Sequence, residues 1–99
     1  MVEFVATSEG ALAEGDNHFA IELRHVDTDE PLAGAALGAE TVMRSMGHEA
    51  ASAPAVAELG DGRYQLEEVI FSMPGLWELR LSASKGPLYD EVGFLFEVP

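Results

Sequence analysis

Cysteine is absent from this 99-residue chain. Its absence excludes a disulfide framework, a thiolate zinc site and thiol-based catalysis. Long apolar runs are absent too, since no stretch approaches the roughly 18 consecutive apolar residues of a membrane-spanning helix. Residues 1–4 lack the basic start and the apolar stretch of a signal peptide. We therefore expect a single domain over residues 1–99 that does not itself insert into a membrane.

Basic residues are scarce. Five Lys and Arg face 18 Asp and Glu, which gives a net charge of −13. A negative field of this strength repels phosphate backbones, so we expect no binding to nucleic acid. Cations and basic partners are attracted instead. Solubility alone is the alternative explanation of the charge.

Known catalytic motifs are also missing from the sequence. It contains no nucleophile elbow, no phosphate-binding loop and no HExxH. Carboxylates are abundant, but no two of them are singled out as an acid–base pair, and carboxylates in such number usually form a solvated surface. We therefore expect a protein that is not an enzyme.

Alternation of apolar and polar residues is the strongest pattern in the chain. Its period of two is typical of half-buried antiparallel strands. Turn signals at 27–34, 60–62 and 85–87 separate the alternating segments. About seven short strands with turns every eight to twelve residues predict an all-β, immunoglobulin-like antiparallel sandwich. The predicted strands cover 2–6, 18–26, 35–43, 55–59, 63–71, 76–83 and 92–98.

Two details of this prediction concern irregular positions. The alternation over 63–71 changes phase near Glu67 and Glu68, which indicates a shift in strand register. Helix is an alternative only around 33–39 and 50–57, where caps and sufficient length are lacking.

Methionine and histidine form the most distinctive cluster. Met43, Met46 and His48 fall within six residues, and the remaining internal methionine is Met73, in the stretch FSMPGLW. Thioether sulfur is a soft ligand that selects Cu(I), and imidazole also binds copper. Loops from different strands meet at one end of a sandwich, so Met73 is a candidate third sulfur ligand.

Each of these residues also has a structural interpretation. Methionine often fills gaps in a core, so Met43 and Met73 are alternatively packing residues. His48 is alternatively an ordinary loop residue. Trp77 is expected to fill the core, with contact to a metal site as the alternative. His25 lies on the apolar face of its strand and is expected to be a buried or edge residue. His18 lies on the polar face near a loop and is expected to be exposed, with a place in the metal site as the alternative.

The order of the motifs resembles the YtkA-like domain family, which is related to FixH-like domains. The resemblance rests on LAGA at 32–35, MxxMGH at 43–48, Pro54, GDGxY at 60–64 and FSMPGLWEL at 71–79. It covers residues 17–98 as a family core, with residues 1–16 as a first strand and loop. One departure from the family is the Arg44-Ser45 pair, where proline is often seen; a cation beside a metal is unfavourable.

The resemblance implies an exported domain, often tethered to a membrane, in the periplasm or outside the cell. It also implies a role in handling copper or other cations, or in oxidase assembly within a larger exported system. Carried over position by position, the family's candidate metal ligands are Met43, Met46, His48 and Met73, and Trp77 is its structural tryptophan. The leading hypothesis is therefore a copper-binding accessory domain. The alternative is a metal-free module that binds a protein partner.

Overall fold

The structure of the protein is a computed structural model that describes residues 1–43, 48–49 and 53–99, with 48–49 described by their backbone alone. Within these residues the chain is all-β, as predicted, and contains no helix. Seven full strands and one two-residue strand follow in order: β1 Val2–Ser8, β2 Gly15–His25, β3 Ala36–Met43, β4 His48–Glu49, β5 Ala55–Gly60, β6 Arg63–Phe71, β7 Gly75–Lys85 and β8 Leu88–Val98. The described residues therefore include no helix that is long and apolar enough to cross a membrane.

Two antiparallel sheets form a β-sandwich. The first sheet has the order β1-β2-β6-β5 and the second has the order β4-β3-β7-β8. The two sheets bury one face each against the other. Phe19 of β2 and Phe96 of β8 meet across the interior with ring centroids 5.2 Å apart, so the core lies between the sheets.

The core follows the alternation in the sequence. On β2 and β7 every second residue is buried, and the residues between them are exposed or half-buried. Trp77 is 1% exposed and fills the core as expected. The largest fully buried side chains are Trp77, Tyr64, Phe19, Phe71, Ile21, Leu23, Leu32, Leu66, Leu79 and Leu81.

Tyr64 attaches the connection between β2 and β3 to the core. Its hydroxyl donates a hydrogen bond to the Leu32 carbonyl at 2.9 Å and accepts one from the Ala35 amide at 3.1 Å. Burial raises the pKa of Tyr64 above its usual value, and the nearby charge of Glu58 adds to the shift. The hydroxyl therefore satisfies two polar backbone groups of a loop that enters the interior.

The turn predicted at 60–62 and the register shift predicted near Glu67 and Glu68 are both present. Asp61 and Gly62 link β5 to β6 with φ angles of 54° and 75°, the two positive values that a type I′ hairpin turn requires. Glu68 has a φ of 59°, and the register of β2 against β6 shifts between Asn17 and Phe19. The phase change near Glu67 and Glu68 is thus a β-bulge.

Several boundaries differ from the prediction. β2 begins at Gly15 rather than at residue 18, and β8 begins at Leu88 rather than at residue 92. Both extensions pair with a long neighbouring strand, and backbone pairing can continue through residues that have weak strand preference. β4 lies between the predicted strands 35–43 and 55–59, where no strand was predicted, and the helical alternative at 33–39 is wrong because β3 begins at Ala36. Of the other helical alternative, residues 55–57 belong to β5.

Candidate functional site

One row of paired residues crosses the second sheet at the end of β3. His48 is opposite Met43, Met43 is opposite Trp77, and Trp77 is opposite Phe96. Residues directly opposite each other on antiparallel strands have Cα atoms about 4.5–5.5 Å apart. The register therefore places the backbone of His48 beside Met43, one strand away from the Trp77 position.

Met43 points into the core and is 5% exposed. Its terminal methyl group lies against Gly75: a Cβ atom built on Gly75 would be only 2.5 Å from Met43 Cε. Gly75 also has a φ of 141°, which side-chain-bearing residues rarely adopt. The thioether of Met43 therefore reaches the start of β7, two residues after Met73.

Met73 lies in the short connection between β6 and β7. Met73 is 38% exposed, so it is in part accessible to solvent. Its backbone carbonyl accepts a 2.9 Å hydrogen bond from the indole Nε1 of Trp77. The Trp77 ring in turn packs on Phe71, with centroids 5.4 Å apart and planes inclined at 49°. Two buried aromatic rings thus fix the backbone on which Met73 is carried.

Of the four predicted ligand residues, the structure describes the side-chain burial of two, Met43 and Met73. Met43 and the segment from Met73 to Trp77 lie at the same end of the second sheet. His48 joins them by backbone register. Met46, with residues 44–47, lies outside the described residues.

The other two histidines lie elsewhere. His25 pairs with Val2, at the opposite end of β2 from Gly15, which is the residue that pairs with Phe71. His18 is exposed on the first sheet, with its Nε2 3.8 Å from the Asp16 carboxylate. The strand register places neither histidine in the row that contains Met43.

The described part of the chain shows no candidate metal site built from carboxylates and imidazoles. No group of three His, Asp or Glu side chains there is arranged to hold a metal ion. The predicted donor set is of another kind, since it combines thioethers with one imidazole. Such a set suits a soft monovalent ion better than a hard divalent one.

Gly75 is the residue of this site that sequence analysis missed. Its sequence context, Pro-Gly, indicates only a strand breaker, but its lack of a side chain is what admits the end of Met43. The available signal was a glycine at the first position of a strand, where close approach of another group is a known reason for glycine. The approaching group itself becomes evident only in three dimensions.

Comparison with protein families gives one match. The model of the YtkA-like family matches residues 1–82. The chain belongs to the YtkA-like family. The matched part of this YtkA-like chain contains Met43, Met73 and Trp77 and runs from β1 through most of β7. A comparison with curated proteins found no match.

Proposed function

We propose that this YtkA-like domain is a copper-binding accessory domain without catalytic activity. Cu(I) would be held at the end of the second sheet by the thioethers of Met43, Met46 and Met73 and by the imidazole of His48. The proposal rests above all on one observation: Met43, paired with His48, extends its methyl group onto Gly75, next to the segment that carries Met73.

The surroundings of the donors support a soft metal. Met43 is almost fully buried and Met73 is partly exposed, so one methionine is shielded from solvent while the other is in part accessible. Thioethers are uncharged, so folding does not have to bury a charged ligand such as a thiolate before the ion binds. The net charge of −13 raises the local concentration of cations without selecting among them.

We place the domain outside the cytoplasm, in the periplasm or outside the cell. A chain without cysteine carries no thiol that an oxidising compartment would oxidise. Thioether ligands also tolerate oxygen better than thiolates. The fractionation of the full-length native protein between cytoplasm and exported material tests the location.

Competition with a chromogenic Cu(I) chelator under anaerobic conditions tests the metal site. The wild-type domain is expected to withdraw one equivalent of Cu(I) from the chelator complex. Met73→Leu and Met46→Leu each remove a sulfur while keeping a similar apolar volume. We expect each to weaken Cu(I) binding about tenfold or more, because substitution of residues that only support metal ligands already costs about 10- to 100-fold.

His18→Ala is the matched control for His48→Ala. His18 is exposed on the first sheet, whereas Met43 and His48 lie on the second, so its removal is expected to leave Cu(I) affinity unchanged. His48→Ala is expected to weaken it. Failure of the wild type to compete, or equal competition by the wild type and all three ligand variants, would contradict the proposal.

A second candidate function is docking of a protein partner without metal. The observation that favours it is the burial of Met43 within the hydrophobic core, as a packing methionine would be. If Met43 only packs in the core, Met43→Leu would leave binding of the protein partner unchanged. A partner that binds the metal-free wild type and the ligand variants equally well would support this second function.

A further inference from the structure

The outer face of the second sheet carries a trough of about 570 Å³. Register places Gly38, Ser82 and Glu91 in one row across β3, β7 and β8, and Glu40, Arg80 and Gly93 in the next row. Gly38 on β3 and Gly93 on β8 contribute no side chains of their own to the floor. The trough lies on the solvent side of the sheet and is distinct from the methionine site.

Neither glycine of the floor is required by a turn or by a positive φ. Gly38 lies within β3 and Gly93 within β8, where glycine weakens a strand. Instead, a Cβ at Gly38 would come within 2.6 Å of Ser82 Oγ, and one at Gly93 would collide with the Glu78 carboxylate. Glycine therefore lets these neighbouring side chains lie low on the sheet, which keeps the trough open.

Carboxylates dominate the charge of the trough. Arg80 is held by Glu78, with Nε 2.7 Å from Oε1, and by Glu40, with a 3.5 Å ion pair. These pairs raise the pKa of Arg80, with the hydrogen bond to Glu78 as the largest cause. Glu91 adds a third carboxylate on the β8 side. Among the described residues that line the trough, Arg80 is the one cation, whereas Glu40 and Glu91 are exposed carboxylates, so the trough is complementary to a cation.

An exposed aromatic residue stands at the rim. Tyr89 is 62% exposed and lines the trough at the β8 side. Its hydroxyl donates a 3.0 Å hydrogen bond to Glu91 Oε2, which fixes the two side chains relative to each other. An aromatic ring beside a carboxylate is a favourable site for the side chain of lysine or arginine, which is attracted to both.

We propose that this trough docks an extended, lysine- or arginine-rich segment of a partner protein. Basic side chains of the segment would pair with Glu40 and Glu91, one of them against Tyr89, while its backbone lies over the glycine floor. A second copy of this chain is a poor occupant, because each copy carries a net charge of −13. A neutral sugar would gain nothing from the excess of carboxylates. The proposal does not depend on copper.

Titration of the metal-free domain with labelled peptides tests this docking surface. The probe is an eight-residue peptide of alternating lysine and serine, and the comparison peptide replaces each lysine by glutamine. We expect the lysine peptide alone to bind and to shift the amide resonances of Gly38, Ser82 and Gly93. Binding should weaken as salt is added, because the paired charges are partly exposed.

A charge-matched pair of variants separates docking at the trough from general attraction to an acidic protein. Glu40→Gln/Glu91→Gln removes two carboxylates from the trough. Glu3→Gln/Glu67→Gln removes two exposed carboxylates from the first sheet. The first variant is expected to bind the lysine peptide about tenfold more weakly, and the second to bind within about twofold of the wild type.

A second matched pair tests the shape of the trough at constant charge. Ser82→Phe fills the trough, whereas Ala20→Phe adds the same ring to the exposed face of the first sheet. Loss of peptide binding only in Ser82→Phe is the expected result. The proposal is overturned if the lysine peptide does not bind, if both charge variants lose affinity equally, or if the glutamine peptide or a neutral oligosaccharide binds at the same residues with equal affinity.

Discussion

The indole of Trp77 donates a hydrogen bond to the backbone carbonyl of Met73, with 2.9 Å between Nε1 and the oxygen. This bond joins a fully buried ring to the loop that carries a partly exposed thioether. Trp77 also pairs in register with Met43. The residue that fills the core therefore also positions both ends of the candidate metal site.

Replacing Trp77 by phenylalanine should destabilise the fold and loosen the Met73 loop. The smaller ring leaves a cavity and removes the donor to the Met73 carbonyl, so we expect a loss of about 2 kcal/mol in the free energy of unfolding. Urea unfolding followed by circular dichroism measures the loss. Faster hydrogen exchange of the amides of Ser72, Met73, Gly75 and Leu76 should accompany it, and unchanged exchange there would contradict the positioning role.

Gly75→Ala should destabilise the domain through its contact with Met43. The added methyl group meets Met43 Cε at 2.5 Å and also requires an unfavourable φ of 141°. We expect a loss of about 2–3 kcal/mol. Gly86→Ala is the matched control, since Gly86 has a positive φ of 58° but no atom lies within 4 Å of the position that its added methyl group would take.

A double-mutant cycle isolates the contact itself. Shortening the side chain with Met43→Ala should relieve the clash, so Gly75→Ala should cost less in that background than in the wild type. Equal costs in both backgrounds would show that Met43 does not lie against Gly75.

Tyr64→Phe should destabilise the protein more than Tyr89→Phe. Loss of the buried Tyr64 hydroxyl leaves the Leu32 carbonyl and the Ala35 amide without their partner, at a cost of about 1–2 kcal/mol. Tyr89 is exposed, so its substitution should change stability by less than about 0.5 kcal/mol. Thermal unfolding of the two variants side by side tests the difference, and equal melting temperatures would refute it.

Asp90 should make folding stability depend on pH in the acid range. Hydrogen bonds from the Val2 and Glu91 amides, the former the larger cause, lower the pKa of Asp90 below its usual 3.8. Because the folded-state pKa is the lower one, this contribution is fully present above pH 3.8 and disappears as the pH falls through the folded-state pKa. Asp90→Asn should therefore be less stable than the wild type at neutral pH, and the difference should shrink below pH 3.8. A difference that is constant with pH would contradict this assignment.

The sequence was sufficient to predict the strands whose two faces differ most. Phe19, Ile21 and Leu23 on β2, and Trp77, Leu79 and Leu81 on β7, alternate with polar residues because one face is buried and the other is solvated. The Asp61-Gly62 turn was predictable because few residues tolerate two positive φ angles in succession.

Pairing between strands could not be predicted in the same way. The alternation of apolar and polar residues indicates the face of the sheet on which a residue lies, but not the strand that lies beside it. The row through His48, Met43 and Trp77 therefore required the structure. The trough was also hidden, because Gly38 and Gly93 are 55 positions apart in the chain and lie on opposite sides of β7, Gly38 opposite Ser82 and Gly93 opposite Arg80. In both cases the missing information is tertiary contact rather than local preference.

Methionine methyl resonances provide the most direct measurement of the central claim. The chain has four methionines, and Met1, which is 80% exposed, is the internal control. On addition of one equivalent of Cu(I) to protein labelled with ¹³C at the methionine methyl groups, the signals of Met43, Met46 and Met73 should shift together while that of Met1 does not. Signals from the three internal methionines that stay in place, or that move no more than Met1, would contradict a copper site at this end of the sandwich.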